Sequence, residues 1–177
     1  MYGITGDPCI FFSGGLIQEP NLHSIIEIIP QIKENNGLLM IASKGDIFYE
    51  AELKKLSPKA DGVLYFDKYP SLVQLPLLIS AADFYIQPKS PNMGNFMPLV
   101  ASNYGTIPIV SLNNGPIIDA FSEENAIIAE DGLQAAVQEA FQLYNNSEEF
   151  NNKRLTCMNS VVTWDDLQSE YIALYEE

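Results

Sequence analysis

The sequence predicts an α/β fold in which a doubly wound, Rossmann-like parallel sheet of about six strands carries helices on both faces. Short apolar segments recur along the chain, and longer stretches with helical spacing separate them. Strands that are apolar on both faces belong in a sheet covered on both sides, and strands that alternate with helices pair in parallel. Residues 1–130 are therefore expected to form a Rossmann-like core. Residues 131–177 are expected to add a helical tail to the same single domain, since 177 residues suit one domain.

The predicted strands are short runs of apolar residues bounded by turn residues. They are expected over residues 9–15, 38–43, 62–67, 84–88, 106–111 and 125–130. Gly14 and Gly15 end the first of these segments in a turn.

Helical spacing separates the predicted strands. It is expected over residues 21–37, 46–57, 71–82 and 96–104. Asn21 is the predicted N-cap of the first helix, and Gly37 its end. Pro30 and Pro76 each lie inside a helical stretch, where a proline kinks the helix or ends it. The remainder after residue 130 predicts two or three further helices and no strand.

Charge is distributed unevenly and excludes some partners. The chain has 23 acidic and 9 basic residues, a formal net charge of −14, and residues 119–177 hold 13 of the acids but only 2 of the bases. Such a tail repels phosphate-rich polymers, so nucleic acid is not an expected partner. The acidic run is expected to form solvated helix faces, with a basic partner surface as the alternative.

Compartment and cofactor are predicted from what the sequence lacks. No apolar run reaches the roughly 20 residues of a membrane span, and the first ten residues do not resemble a secretory signal. Cys9 and Cys157 lie far apart without metal-ligand spacing, which favours a reducing compartment and no zinc site. His23, the sole histidine, is expected to be structural. We therefore expect a cytoplasmic protein with no membrane partner, no metal and no cofactor.

The predicted sheet also predicts where a ligand binds. In doubly wound sheets, ligands lie at the carboxyl ends of the strands, near the point where the strand order reverses. The candidate site is therefore built from the five loops Ser13 to Gly15, Ser43 to Gly45, Phe66 to Tyr69, Pro88 to Phe96, and Ser111 to Gly115. For any single loop, the alternative is a glycine that only makes a tight turn.

Four segments resemble bacterial glycogen and starch synthases. ADFYIQP at 82–88 and YGTIPIVSLNNGPIIDAF at 104–121 are similar to the family's A-D-F-x-x-x-P-S, Y-G-T-x-P-V-V and G-G-L-x-D-T-V. Residues 11–25 stand where the family has S-R-L-x-x-Q-K-G-x-D-L-L, and residues 163–177 resemble its closing S-W-x-x-x-A-x-x-Y-x-x-L-Y. The resemblance implies the carboxy-terminal, nucleotide-sugar-side domain of a two-domain GT-B glycosyltransferase.

At two positions where the family has a cation, this chain has none. In the family, an arginine after the first strand and a lysine five residues later neutralise the diphosphate of the sugar donor. Here those positions hold Gly14 and Glu19. That role needs positive charge where negative charge develops. Lys44, Lys68 and Lys89 are the nearest cations on the predicted rim, and none stands at a motif position.

The family's sugar-gripping loop, E-P-x-G-L, corresponds to Asn92, Met93, Gly94, Asn95 and Phe96. Asn92 stands in place of the glutamate. Its amide can hydrogen-bond a sugar hydroxyl but cannot balance the charge of a developing oxocarbenium ion.

Two further positions concern the phosphates and the base. After Asn114 and Gly115, the second glycine of G-G-L is replaced by Pro116, which removes a backbone N–H that would face the phosphate. Tyr69 stands close to where the family places an aromatic ring over the nucleotide base, with ordinary rim packing as the alternative.

Three functions remain open from the sequence. One is a glycogen/starch synthase-like domain with a degenerate donor site that is non-catalytic on its own, as a scaffold, regulatory half or pseudo-enzyme. Another is the donor-binding half of an active ADP- or UDP-glucose-dependent α-1,4-glucan glucosyltransferase. That enzyme would need an N-terminal GT-B domain in the same or another chain, and an α-glucan acceptor. The last is a non-enzymatic interaction module that uses its acidic helices. The first is favoured because Gly14, Glu19, Asn92 and Pro116 depart from four family positions.

Overall fold

A computed structural model of the chain describes residues 7–16, 20–57, 62–89, 96–112, 115–161 and 164–176. Its strands are β1 (Cys9–Phe12), β2 (Gly15–Leu16), β3 (Leu38–Ala42), β4 (Lys44–Gly45), β5 (Val63–Phe66), β6 (Phe84–Gln87), β7 (Ile107–Ser111) and β8 (Ile127–Ala129). Six of them form one sheet in the order β5-β3-β1-β6-β7-β8, and every pairing is parallel. With those six counted along the chain, the order is 3-2-1-4-5-6, the Rossmann order. The predicted fold class is confirmed.

Helices connect the strands and follow them. They are α1 (Pro20–Glu27), α2 (Ile29–Glu34), α3 (Ile47–Leu56), α4 (Gln74–Ser80), α5 (Met97–Asn103), α6 (Leu133–Asn145), α7 (Ser147–Asn159) and α8 (Trp164–Glu176), with a 3-10 turn at Gly115–Ala120. Within the described part of the chain, three helices and no strand follow residue 130, in agreement with the larger number predicted. No helix there is long and apolar enough to span a bilayer.

Prolines set where two helices begin. The predicted helix over 21–37 is two helices, because the chain turns at Ile28 and Pro30 is the second residue of α2. Pro76 does not interrupt its helix, since α4 begins at Gln74 and the proline lies in the first turn. First-turn N–H groups have no partner within a helix, so proline is tolerated there. The prediction of Asn21 as an N-cap is wrong, because α1 already begins at Pro20.

Both faces of the sheet are buried. Along β1, Ile10 and Phe12 point into the core beneath α1, α2 and α6, whereas Phe11 points into the core beneath α4 and α5. Tyr85 of β6 meets Phe11 edge to face, with ring centroids 5.9 Å apart. Because successive side chains of a strand point to opposite faces, a strand covered on both sides must be apolar throughout.

Helix α7 joins the tail to the core through one aromatic residue and the two tail cations. The Phe150 ring lies 5.6 Å from the Phe84 ring of β6, centroid to centroid. Arg154 stacks over Phe150 at 5.5 Å, and its Nε donates to the Gly105 carbonyl at 3.0 Å. Lys153 Nζ donates to the carbonyls of Glu123 and Ala126. Both basic residues of the tail therefore bind backbone carbonyls, which leaves its charged surface acidic.

Candidate functional site

The strand order reverses between β1 and β6, so the loop after β1 is central to the candidate site. Ser13 follows β1 and is almost fully buried. Its hydroxyl donates to the Ala42 carbonyl at 3.1 Å, and its own carbonyl accepts the Tyr85 hydroxyl at 2.9 Å. These bonds fix the end of β1 to the strands on both sides of it.

Gly14 is tied to Ser43, the first residue after β3. The Gly14 N–H donates to Ser43 Oγ at 3.4 Å, and the Ser43 hydroxyl donates back to the Gly14 carbonyl. The Tyr65 hydroxyl donates to the Ser43 carbonyl at 3.3 Å. Burial, helped by nearby carboxylates, raises the pKa of Tyr65 to about 12, so this phenol keeps its proton at neutral pH. Both backbone polar groups of Gly14 therefore already have partners within the protein.

A two-stranded parallel sheet extends this connection. Gly15 pairs with Lys44 and Leu16 with Gly45, so β2 and β4 join the loops that follow β1 and β3. Space at Gly14 is limited, because a Cβ atom there would lie 3.1 Å from Cζ of Phe12. A larger residue at this position needs a small displacement of the Phe12 ring.

Tyr69 and an apolar cavity occupy the rim beyond β3 and β5. The Tyr69 hydroxyl donates to the Lys44 carbonyl at 3.0 Å, while 55% of the residue stays exposed. Beside it, a cavity of about 140 Å³ is lined by Ala42, Phe66, Lys68, Pro70, Gln74, Leu77 and Leu78. Tyr69 is therefore a fixed aromatic residue next to an apolar cavity with one cation on its lining.

A second cavity, of about 210 Å³, lies at the other half of the edge. It is lined by Ser24, Lys89, Ser111, Leu112, Ala129, Glu130, Gly132 and Leu133. Lys89 here shares its cavity with the carboxylate of Glu130, whereas Lys68 lines the cavity next to Tyr69. Lys68 and Lys89 thus line different cavities.

None of the rim cations Lys44, Lys68 and Lys89 forms an ion pair with a carboxylate of the described residues. Lys54 behaves differently, since its ammonium lies 2.9 Å from Asp67. The hydrogen bond from Lys54 lowers the pKa of Asp67. The rim therefore carries three lysines whose charge no described carboxylate neutralises through an ion pair.

No model of a known protein family matches the chain. Glycogen synthase 2 of Agrobacterium fabrum (strain C58) is 32% identical to it over 196 residues, which cover 97% of this chain and 36% of that protein. Nearly the whole chain is thus similar to a glycogen synthase, which is consistent with the C-terminal domain of a glycogen/starch synthase. It is similar to about a third of the length of such a synthase, and the motifs at 82–88 and 104–121 correspond to the carboxy-terminal GT-B domain.

Solved structures show the same fold. The catalytic domain of Starch Synthase IV from Arabidopsis thaliana, a structure bound to ADP and acarbose, matches 98% of this synthase-like domain and 40% of its own chain. The TM-score is 0.77 at 20% sequence identity. The C-terminal domain of a glycosyl transferase group 1 family protein from Francisella tularensis matches 95% of the domain and 88% of its own chain, with a TM-score of 0.71 and 15% identity.

The remaining family positions of this synthase-like domain are only partly described. Phe96 precedes α5 and is 65% exposed, and Gly115 opens the 3-10 turn. The others lie outside the described residues: Glu19, Asn92, Gly94, Asn95 and Asn114.

Sequence reasoning missed the hydroxyl groups that organise the site. Ser13 and Ser43 were noted only as members of loops, and Tyr65 and Tyr85 only as parts of strands. A signal was present for the serines, because each directly follows a run of apolar residues that predicts a strand. The structure shows that the two strands are neighbours in the sheet. Neighbouring parallel strands bring such residues together at one edge.

Proposed function

We propose that this chain is a glycogen/starch synthase-like glycosyltransferase domain whose donor site is degenerate, so that it is non-catalytic alone and serves as a scaffold or regulatory half. The observation that carries the proposal is Gly14, at the position of the family arginine. It offers no cation, and its N–H and carbonyl are both bonded to Ser43. A diphosphate at this position would find no cation from residue 14 and no backbone donor of residue 14 that lacks a partner, which leaves Lys44, paired with Gly15, as the cation next to it.

The loss of the two family cations is large enough to weaken the binding of a sugar-nucleotide donor. A hydrogen bond to a charged group contributes about 1.5–3 kcal/mol, which is roughly one to two decades of affinity. Lys68 and Lys89 line separate cavities, so they do not replace two adjacent cations at the end of β1. The net charge of −14 adds a repulsion that salt partly screens.

A second candidate is the donor-binding half of an active glucosyltransferase. Tyr69 and the apolar cavity beside it favour this reading, because they offer a stacking ring and an apolar wall to a nucleotide base. ADP-glucose or UDP-glucose would be the donor and an α-glucan the acceptor. An N-terminal GT-B domain, in the same or another chain, would supply the second wall of the cleft, since the chain spans 36% of its relative's length.

Restoring the two cations separates these candidates. We expect Gly14→Arg with Glu19→Lys to raise ADP affinity at least tenfold, measured by isothermal titration calorimetry, without conferring glucosyl transfer. Two cations after β1 can pair with phosphate oxygens using this domain alone, whereas transfer also needs the sugar-gripping loop and a partner domain. If the native chain already transfers glucose when an N-terminal domain is supplied, the second candidate is correct.

Three controls accompany the repaired variant. Glu148→Lys with Glu149→Gln changes the net charge by the same +3 on the distal tail. Gly14→Gln with Glu19→Gln adds bulk beside Phe12 with little charge. Glu19→Lys alone leaves the Gly14 backbone as it is and should give a smaller gain. An ADP affinity no higher in the repaired variant than in the tail control would contradict a decayed phosphate position.

A further inference from the structure

Helix α4 is apolar both on the side that faces the sheet and on the side that faces away from it. The residues that pack into the core beneath α4 and α5 are Leu75, Leu78 and Ile79. On the outer side, Leu77 is 66% exposed, and in the turn that leads into the helix Leu72 is 91% and Val73 77% exposed. A helix that is apolar all round is typical of a buried position. The outer side of α4 therefore has the composition of a covered surface.

The outer residues of α4 form one stripe without charge. Helical winding starts at Ser71, whose carbonyl accepts the Leu75 N–H at 2.9 Å. Val73 and Leu77, four residues apart, are therefore neighbours on the helix surface. Residues 71–82 contain no charged side chain. We call this surface the α4 stripe, and it consists of Leu72, Val73, Pro76, Leu77 and Ser80. Leu77 lies near its centre.

The α4 stripe lies where a second copy of this acidic chain meets little repulsion. Residues 44–82 hold five of the nine bases and five of the 23 acids, so their net charge is zero, whereas residues 119–177 have a net charge of −11. Helix α4 lies by the ends of β3 and β5, and α6 packs on the other face of the sheet against β7 and β8. Five strand spacings, about 24 Å in all, separate β5 from β8. Physiological salt screens exposed charges beyond about 8 Å, so the acidic tail acts only weakly at the α4 stripe.

We propose that two copies of this chain associate through the α4 stripe, which packs against its own counterpart about a twofold axis near Leu77. The exposed apolar side chains of both copies leave water together, and no charged group of the stripe has to be desolvated. The same patch on both copies makes an isologous contact, which closes at two copies. A helix of seven residues provides a small contact, so the dimer is expected to be weak and reversible.

Sedimentation velocity over a concentration series tests this association in buffer without nucleotide, so its outcome is independent of the donor site. We expect the native chain to dimerise, and more tightly as salt is added, because salt screens the repulsion between two molecules of charge −14. An association of the acidic tail with lysines would instead weaken with salt. Leu77→Glu and Leu77→Lys each place two like charges at the twofold axis and should raise the dissociation constant at least tenfold. Leu77 is mostly exposed, so folding should be unaffected, as circular dichroism will verify.

Mixing the two variants gives the decisive result. Opposite charges then meet at the axis, so a mixed dimer should form more tightly than either variant alone. The matched controls are Leu155→Glu and Leu155→Lys, at an exposed leucine of α7, and each should dimerise like the native chain.

Three results would overturn the proposal. They are a native chain that stays monomeric, a dimer that the Leu77 variants leave unchanged, and a mixture that associates no better than its components. If the native chain stays monomeric but binds an added N-terminal GT-B domain, and Leu77→Glu abolishes that binding, the α4 stripe belongs to that domain instead.

Discussion

Ser43 and Gly14 show how single residues decide what a strand end can bind. In the family that this chain resembles, the position of Gly14 holds an arginine that neutralises the diphosphate of the sugar donor. Here the side chain is absent, and the buried Ser43 hydroxyl bonds to both backbone polar groups of Gly14. Buried polar groups need partners, and Ser43 supplies them for the end of β1 from within the protein.

Asp83 is a residue whose protonation is linked to folding. It accepts the Cys9 N–H through Oδ2 at 2.9 Å at the amino end of the sheet. Burial, and to a lesser extent the Asp7 carboxylate, raises the pKa of Asp83 above its usual 3.8. A raised carboxyl pKa in the folded state means that ionisation opposes folding. The contribution of Asp83 to stability therefore falls as the pH rises from 3.8 through the raised pKa, and is constant above it.

We expect Asp83→Asn to remove this pH dependence, because asparagine keeps an oxygen acceptor for Cys9 but does not ionise. The free energy of unfolding, measured by urea titration from below pH 3.8 to neutral pH, should increase in the variant relative to the native chain as the pH rises. Comparing the two chains at each pH cancels the general repulsion of a −14 molecule. A difference that stays constant with pH, or that shrinks as the pH rises, would contradict the assignment.

Helix α7 shows how an element is held by few contacts. Its pattern is weakly amphipathic, and only Phe150 and Cys157 are buried along its 13 residues. Phe150 packs on Phe84 at 5.6 Å and on Tyr144 at 5.2 Å, centroid to centroid. Docking of α7 thus involves the buried Phe150 and Cys157 side chains together with the carbonyl bonds of Lys153 and Arg154.

Phe150→Ala should lower the free energy of unfolding by about 3–5 kcal/mol, the usual loss for a buried phenylalanine. Urea unfolding followed by circular dichroism measures this loss. Leu155→Ala is the matched control on the same helix, since Leu155 is 59% exposed, and it should change stability by less than about 0.5 kcal/mol. Equal effects of the two substitutions would show that α7 is not held through Phe150.

The strands and helices also show how much of the secondary structure can be predicted from the sequence. The strands of the main sheet were predicted because three to five consecutive apolar residues between polar or turn residues are a strong signal, and their ends moved by at most a few residues. The strands β2 and β4 were not predicted, since two residues such as Lys44–Gly45 carry no periodicity and become strands only by pairing across the fold. The helix starts at Pro20 and Gln74 were missed because the placement of each proline in a first turn depends on the path of the chain before it.

Sequence reasoning locates the candidate site at the carboxyl ends of the strands, and that location stays a prediction. Because every pairing in the main sheet is parallel, the carboxyl ends of its strands lie at one edge whatever their order. The pairing of Gly14 with Ser43 depends on the register of two strands that are 29 residues apart along the chain, and a single sequence does not specify that register. The separation of Lys68 and Lys89 into different cavities likewise required the structure.

At the scale of the whole molecule, the net charge and the lack of a cation at Gly14 both disfavour the binding of an anionic ligand. Residues 119–177 contribute 13 of the 23 acids, and their two cations are occupied with backbone carbonyls or an aromatic ring. An anionic ligand approaching the carboxyl edge therefore meets a negative molecule in which the rim lysines are dispersed. Added salt screens this long-range repulsion, but it does not replace the cation that is missing at Gly14.

Titration of ADP, UDP, ADP-glucose and UDP-glucose into the native chain by isothermal titration calorimetry, at physiological salt, tests the central claim most directly. A degenerate donor site predicts dissociation constants in the millimolar range or no measurable heat, because two charge-assisted hydrogen bonds to the diphosphate are missing. Raising the salt should strengthen any weak binding slightly, through screening of the net charge. Micromolar binding of ADP-glucose or UDP-glucose at physiological salt would contradict the account and identify a functional donor site.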